Sequence, residues 1–175
     1  AAVARDAGHE IDLVDLSDVN DYTEEISKRV ANGNYDAIGI TATSPQFYYA
    51  HKILKSVKET NPKIKTIIGG SHASMFSSLR NTLIKRFSAE GFVGSELEKK
   101  LHEEDLNFAP LEDFDVIAAG EENSLFAALD SEEKWIDGGV AEGLDLLPLP
   151  ARDLFDFESY LFDPQGSPKF RISGK

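Results

Sequence analysis

Three short segments concentrate the residues that could hold a ligand. They read Ile38-Gly39-Ile40-Thr41-Ala42-Thr43-Ser44, Ile67-Ile68-Gly69-Gly70-Ser71-His72 and Val116-Ile117-Ala118-Ala119-Gly120-Glu121. Each is an apolar run of strand character that ends in small or polar residues. In an open parallel sheet, ligands sit beyond the carboxyl ends of the strands. Glycine lets backbone approach a ligand closely, and Ser and Thr supply short hydroxyls. Thr41, Thr43, Ser44, Gly69, Gly70 and Ser71 meet that demand. Three such ends point to a pocket for one large ligand rather than for a single phosphate. Taken singly, Ser44 also reads as a helix cap and Gly69-Gly70 as a tight turn.

The elements that must position these residues alternate along the chain. Residues 1–8 read as the end of a helix stopped by Gly8. Residues 10–16 alternate apolar and acidic side chains, the pattern of a half-exposed edge strand. Asp21-Tyr22-Thr23-Glu24 has the form of a capping box and opens a helix closed at Asn32-Gly33. Residues 37–43 read as a buried strand, and Ser44-Pro45 as the start of a helix that runs to Asn61-Pro62. Strands follow at 64–68 and 114–119, with helices at 75–87 and 95–104 between them. Another helix opens at 124–129, and residues 135–140 give a short strand and turn. Alternating strands and helices predict an α/β fold with helices on both faces of a parallel sheet.

That order is Rossmann-like, of the flavodoxin-like kind, in three layers. In a 2-1-3-4-5 sheet the strands at 37–43, 64–68 and 114–119 are neighbours in that order. The sequence then opens inside a helix, and the first strand of the sheet is missing from it. The strand at 10–16 should lie across that gap or collapse against 37–43. Residues 1–143 form the binding domain on this reading. Residues 144–175, with Leu147-Pro148-Leu149-Pro150 and an aromatic tail, form a linker.

Bulk properties remove several function classes. The chain has 175 residues, a formal net charge of −13 and no cysteine. An acidic surface repels nucleic-acid phosphates and anionic membranes, so neither is an expected partner. Without cysteine the chain has no disulfide, no thiolate nucleophile and no Cys-held iron–sulfur cluster of its own. No apolar run is long enough to span a bilayer and no signal pattern opens the sequence, so a cytoplasmic location is expected. Glu121, Glu122 and the acidic stretch 95–105 lack the ligand spacing of a calcium loop and read as solvated surface.

With these residues in place the chain resembles the N-terminal cobalamin-binding domain of cobalamin-dependent radical S-adenosylmethionine enzymes. Tyr35-Asp36-Ala37-Ile38-Gly39-Ile40-Thr41 is similar to that domain's third strand. The run from Val57-Lys58-Glu59 to Ile68-Gly69-Gly70-Ser71-His72 is similar to its approach to a Gly-Gly-x-His loop. Phe114-Asp115-Val116-Ile117 through Gly120-Glu121 resembles its fifth strand and Gly-Glu turn, and residues 147–154 its linker to a radical barrel domain. Residues 81–112 match least and read as an insertion. The family's Gly-Glu-Gly-Glu is here Gly120-Glu121-Glu122-Asn123, without the second glycine. The Asp-x-His-x-x-Gly motif that supplies an axial histidine in other cobalamin proteins is absent.

The resemblance implies cobalamin as the cofactor, with its ring over the strand ends and its nucleotide tail between sheet and helices. It extends the candidate set to Ala42, Gln46, His72, Gly120 and Glu121. His72 has no carboxylate partner in the sequence to orient it, so it reads as pocket wall or donor rather than as a cobalt ligand. Phe47 either faces the ring or is core. For the parent protein the resemblance implies a 4Fe–4S cluster, S-adenosylmethionine, a radical barrel domain as partner and, most commonly, methyl transfer; the chain alone is not expected to be an enzyme. Two other flavodoxin-like readings are a receiver-like signalling module and a flavin or nucleotide binder. The first lacks an acceptor Asp at the end of 37–43, and the second lacks G-x-G-x-x-G.

Overall fold

The computed structural model describes the chain except for residues 17–18, 105–108, 121, 140–142, 144, 146 and 155–175. The chain divides into two compact units, Asp18–Glu142 and Ala1–Ser17 with Gly143–Lys175. The larger unit carries strands β1 (Ala37–Thr41), β2 (Lys65–Gly69), β3 (Val116–Ala119) and β4 (Trp135–Asp137). They form one parallel sheet in the order β1-β2-β3-β4. The three neighbours expected from the sequence are therefore adjacent, parallel and in the expected order. The chain has an α/β, Rossmann-like fold with a four-stranded parallel sheet.

The smaller unit holds helix α1 (Ala2–Asp6), and residues 9–16 follow it without regular structure. The strand expected at 10–16 is therefore not formed. Alternating side chains favour a strand only where a neighbour offers a ladder of N–H and C=O groups. None of the described strands pairs with this segment. Within the same unit Arg5 holds Asp153 by a fork of two hydrogen bonds, 2.6 and 3.1 Å, so α1 is tied to the segment after Pro150.

Helix α2 (Tyr22–Asn32) starts as the sequence predicts, with the Asp21 carboxylate accepting from Glu24 N–H at 3.0 Å. The helix after β1 starts differently. Residues Ser44–Gln46 form a 3-10 turn, and α3 runs from Phe47 to Thr60. The cap is Thr43 rather than Ser44: Gln46 turns back so that its Oε1 accepts from Thr43 N–H and Oγ1–H at 3.0 and 2.9 Å. Helix α4 (Ser71–Ala89) is longer than expected and starts directly after Gly70. Helix α5 (Gly94–Glu103) folds back on it around Leu83, Phe87 and Leu101. Helices α6 (Ala109–Glu112) and α7 (Glu122–Asp130) precede and follow β3. Among the described residues no helix is long and apolar enough to cross a membrane.

Strand alternation separates two cores. Ile68 and Ile117 face α3 and α4 and pack with Leu54, Ala73, Leu111 and Phe114. Ile67, Val116, Ala118 and Ile136 face the other way and pack with Ala128 of α7. The amino ends of the strands are fastened by three lysines. Lys58 donates to Ile64 O and Asp115, Lys65 to Leu129 O and Ser131 O, and Lys134 to the carbonyls of Glu112 and Phe114. Asp115 Oδ2 also accepts from Thr66 N–H and Oγ1–H, both at 2.8 Å, which joins β2 to β3.

Partial burial raises the Asp115 pKa, but the hydrogen bonds from Lys58 and Thr66 outweigh it and hold the carboxyl below its usual 3.8. This stabilisation is complete above the unfolded value and is lost as pH falls through the lower folded one. Asp115→Ala leaves Lys58 only its carbonyl contacts, strands two Thr66 donors and is expected to cost about 2 kcal/mol in urea unfolding near neutral pH. A loss under about 0.5 kcal/mol would put the anchor elsewhere.

Candidate functional site

The loops after β1 and β2 are locked to each other through backbone. Ala42, 2% exposed, donates its N–H to Gly69 O and accepts from His72 N–H, both at 3.1 Å. Between these bonds the chain passes through Gly70 at φ +89°. A Cβ on Gly70 would lie 2.7 Å from Thr41 Oγ1 and 2.8–2.9 Å from Ala42 backbone. Glycine is required here by both conformation and space. The glycine pair that the sequence offers as a place for a ligand to approach is, at Gly70, a place where one loop approaches the other.

His72 lies under this junction, 8% exposed. Its ring stacks on Phe47 at 4.2 Å and packs against Phe76 at 4.7 Å, and its Nδ1 pairs with Ser44 Oγ at 3.1 Å. Burial pushes its pKa below the usual 6.5, so the ring is neutral at pH 7. Phe47 is half-buried against the α3–α4 core. Thr41, Thr43, Ser44, Gln46, Gly70 and Ser71 are exposed around the junction. Gln46 is committed through its oxygen to Thr43, which leaves its amide nitrogen for another acceptor.

A second junction joins β3 and β4, which the sequence reading treats as a turn only. Gly138 N–H donates to Ala119 O at 2.9 Å. Gly120 crosses there at φ +92°, and a Cβ on it would lie 2.6 Å from Gly139 O. Ser74 of α4 bridges the two junctions, with Gly120 N–H directed at its Oγ at 3.4 Å. Ser74 and Asp137 are residues that the sequence did not single out, and Gly138-Gly139 read there as a turn. The signal was the glycine pair 138–139 directly after a strand. Gly120 thus joins the other candidates at one end of the sheet, while Glu121 lies outside the described residues.

Residues 1–85, just under half of the chain, match the family model described as B12 binding domain. The chain is also similar to the anaerobic magnesium-protoporphyrin IX monomethyl ester cyclase of Rubrivivax gelatinosus, 36% identical over 56 residues. That stretch is 31% of this chain and 10% of the cyclase, so the chain spans only a small part of this curated relative. No solved structure matches the chain significantly.

Within the larger unit, one face of the sheet stands out. Gly39, Thr41 and Gly69 share the face opposite α3 and α4, since Gly39 pairs with Ile67 and Thr41 with Gly69. Gly39 and Thr41 are exposed, and a Cβ on Gly39 would meet nothing within 4 Å. This leaves a strip of small residues running down the sheet from the locked loops. Among the described residues no cluster of His, Asp and Glu is arranged to hold a metal ion.

The two described histidines with shifted pKa values should titrate on opposite sides of 6.5. His72 is lowered by burial. His102 is raised, first by the hydrogen bond to Glu98 O and then by the Glu112 carboxylate. Because the folded pKa of His72 is depressed, its contribution to stability is complete above the unfolded value and falls as pH drops toward the folded one. Ring-proton NMR should show His102 protonated first as pH is lowered, and His72→Phe should flatten the slope of stability below pH 6.5. His72 titrating above His102 would contradict the packing described here.

Proposed function

We propose that this chain binds cobalamin across the carboxyl ends of β1 and β2, as the cofactor-holding domain of a cobalamin-dependent radical S-adenosylmethionine enzyme. The carrying observation is the strip of exposed Gly39 and Thr41 and half-buried Gly69 below the Ala42–Gly70 lock, within the segment that matches the B12-binding family. A flat ring needs a firm, uncharged floor, and the locked loops supply one. The nucleotide tail needs a shallow channel along the sheet, and small residues leave that channel open. Thr43, Ser44 and Ser71 hydroxyls and the Gln46 amide suit the carboxamides and phosphate of such a ligand. When bound, cobalamin supplies a cobalt centre able to carry an alkyl group. The chain's part is to bind and orient it. His72, with its Nδ1 on Ser44 and a ring face on Phe47, acts as wall and as support for Ser44.

Gly120, at the β3–β4 junction, extends the proposed site beyond the strip. Methyl transfer is the reaction class we assign to the whole protein. The similarity to a cyclase favours ring closure as the second reading. A thiolate-held 4Fe–4S cluster requires cysteines that this chain does not contain. S-adenosylmethionine and the cluster would therefore be held by a radical barrel domain, reached through the linker from residue 144.

Hydroxocobalamin added to the chain is expected to bind with its dimethylbenzimidazole base detached, seen as a change in the absorbance spectrum that survives gel filtration. Gly39→Trp fills the channel without touching the lock and should weaken binding by at least about tenfold while leaving circular dichroism unchanged. Gly70 is the wrong position for this test, because a side chain there breaks the lock itself. Failure of folded protein to retain cobalamin would refute the assignment. Unchanged affinity in Gly39→Trp would move the tail to another surface.

A further inference from the structure

A groove of about 390 Å³ lies between α4 and the carboxyl ends of β3 and β4. It is across the sheet from the Gly39–Thr41–Gly69 strip, because Asp137 alternates with Ile136, which faces α7. One wall is a ladder of hydroxyls, Ser74, Ser78 and Thr82, at four-residue spacing on α4, with Asn81 and Lys85 beside them. The floor is Ala119 and Gly120, and Asp137 and Gly139 close the far side.

Two features give this groove a chemical direction. Asp137 is held in place by neutral donors, Gly139 N–H to Oδ1 at 3.0 Å and Asn81 Nδ2 to Oδ2 at 3.3 Å. Among the described residues no cation pairs with it, and each oxygen keeps a free lone pair. A carboxylate so prepared accepts from two adjacent hydroxyls. Lys85 stands four residues beyond Asn81 on α4, about 6 Å along the axis. It makes no ion pair among the described residues, in a chain of net charge −13. The lining contains no aromatic ring on which a base could stack.

We propose that this groove binds a sugar phosphate, with vicinal hydroxyls on Asp137 and Asn81, further hydroxyls along the Ser74–Ser78–Thr82 ladder, and the phosphate on Lys85. The observations favour this over a nucleotide, which would leave its base unsupported. They also favour it over a simple anion, which Asp137 repels. Ribose phosphate also occurs in the nucleotide tail of cobalamin, so the test must separate the two sources.

The experiment titrates ribose 5-phosphate into the ¹⁵N-labelled 175-residue chain and follows the amides of Gly120, Gly139 and residues 74–85 by NMR. Saturable shifts confined to these amides are expected, with half-saturation near about 1 mM. Inorganic phosphate and ribose should each bind at least about tenfold more weakly, and Asp137→Asn and Lys85→Met should each weaken ribose 5-phosphate by about fivefold or more with the rest of the spectrum unchanged. Cobinamide, which lacks the nucleotide, and cobalamin should both leave these shifts in place. Displacement by cobalamin alone would assign the groove to the cofactor's own tail and overturn the proposal. So would equal binding of inorganic phosphate, insensitivity to both substitutions, or no saturable shift up to about 10 mM.

Discussion

The carboxyl end of this sheet depends on the two backbone hydrogen bonds of Ala42. They tie the loop after β1 to the loop after β2, and Gly70 passes between them with no room for a side chain. Each bond is worth about 1 kcal/mol by itself. Their larger effect is mutual constraint, since neither loop can shift without breaking a buried pair on the other. The turn that sends the chain into α4 is fixed by the same contact, so the position of His72, and through it of Ser44, follows from Ala42. Ala42 brings no reactive group of its own. Its methyl is small enough to be buried, and its peptide is where the two loops meet.

The opposite end of the sheet is held in another way. There lysine ammonium groups and one carboxylate reach carbonyls, a threonine and each other between Lys58, Thr66, Asp115 and Lys134. Charge-assisted bonds suit an end that only has to stay closed. At the carboxyl end the β1–β2 junction is made of neutral peptides and hydroxyls, and among the described residues no ion pair involves residues 41–46, 69–74 or 119–120. A large ligand rich in carboxamides is better matched by neutral donors and acceptors than by charges, which would lose hydration on contact.

Much of this was legible in the sequence because strand ends in parallel sheets carry a local signature. Ile67-Ile68-Gly69-Gly70 and Ala118-Ala119-Gly120 announce both the strand and the place where it stops. Strand order followed from alternation with helices. Three points were not legible. The strand expected at 10–16 depends on a ladder partner, which no local pattern supplies. Gly70 and Gly69 look alike in sequence, yet a Cβ on Gly69 would meet only Ala118 O at 3.6 Å, while one on Gly70 would collide with Ala42. The roles of Ser74 and Asp137 arise only when α4 is laid against β3 and β4, an arrangement between segments more than 40 residues apart.

The two junctions form one continuous structure. Ala42 contacts Gly70, whose carbonyl accepts the N–H of Ser74 at 3.0 Å. The Ser74 hydroxyl meets Gly120, and Gly120 lies against Gly139. Every strand end is thus within two contacts of its neighbour's loop, and most of the contacts are between backbones. Backbone contacts cannot relax by rotamer change, unlike the flexible side chains of an ordinary core. A displacement at the β1–β2 loops must therefore be taken up as a shift of α4's first turn, or passed on to Gly120 and Gly139. The face that carries the Gly39 strip and the face that carries the Asp137 groove are separated by the sheet but share this row of peptides at its edge.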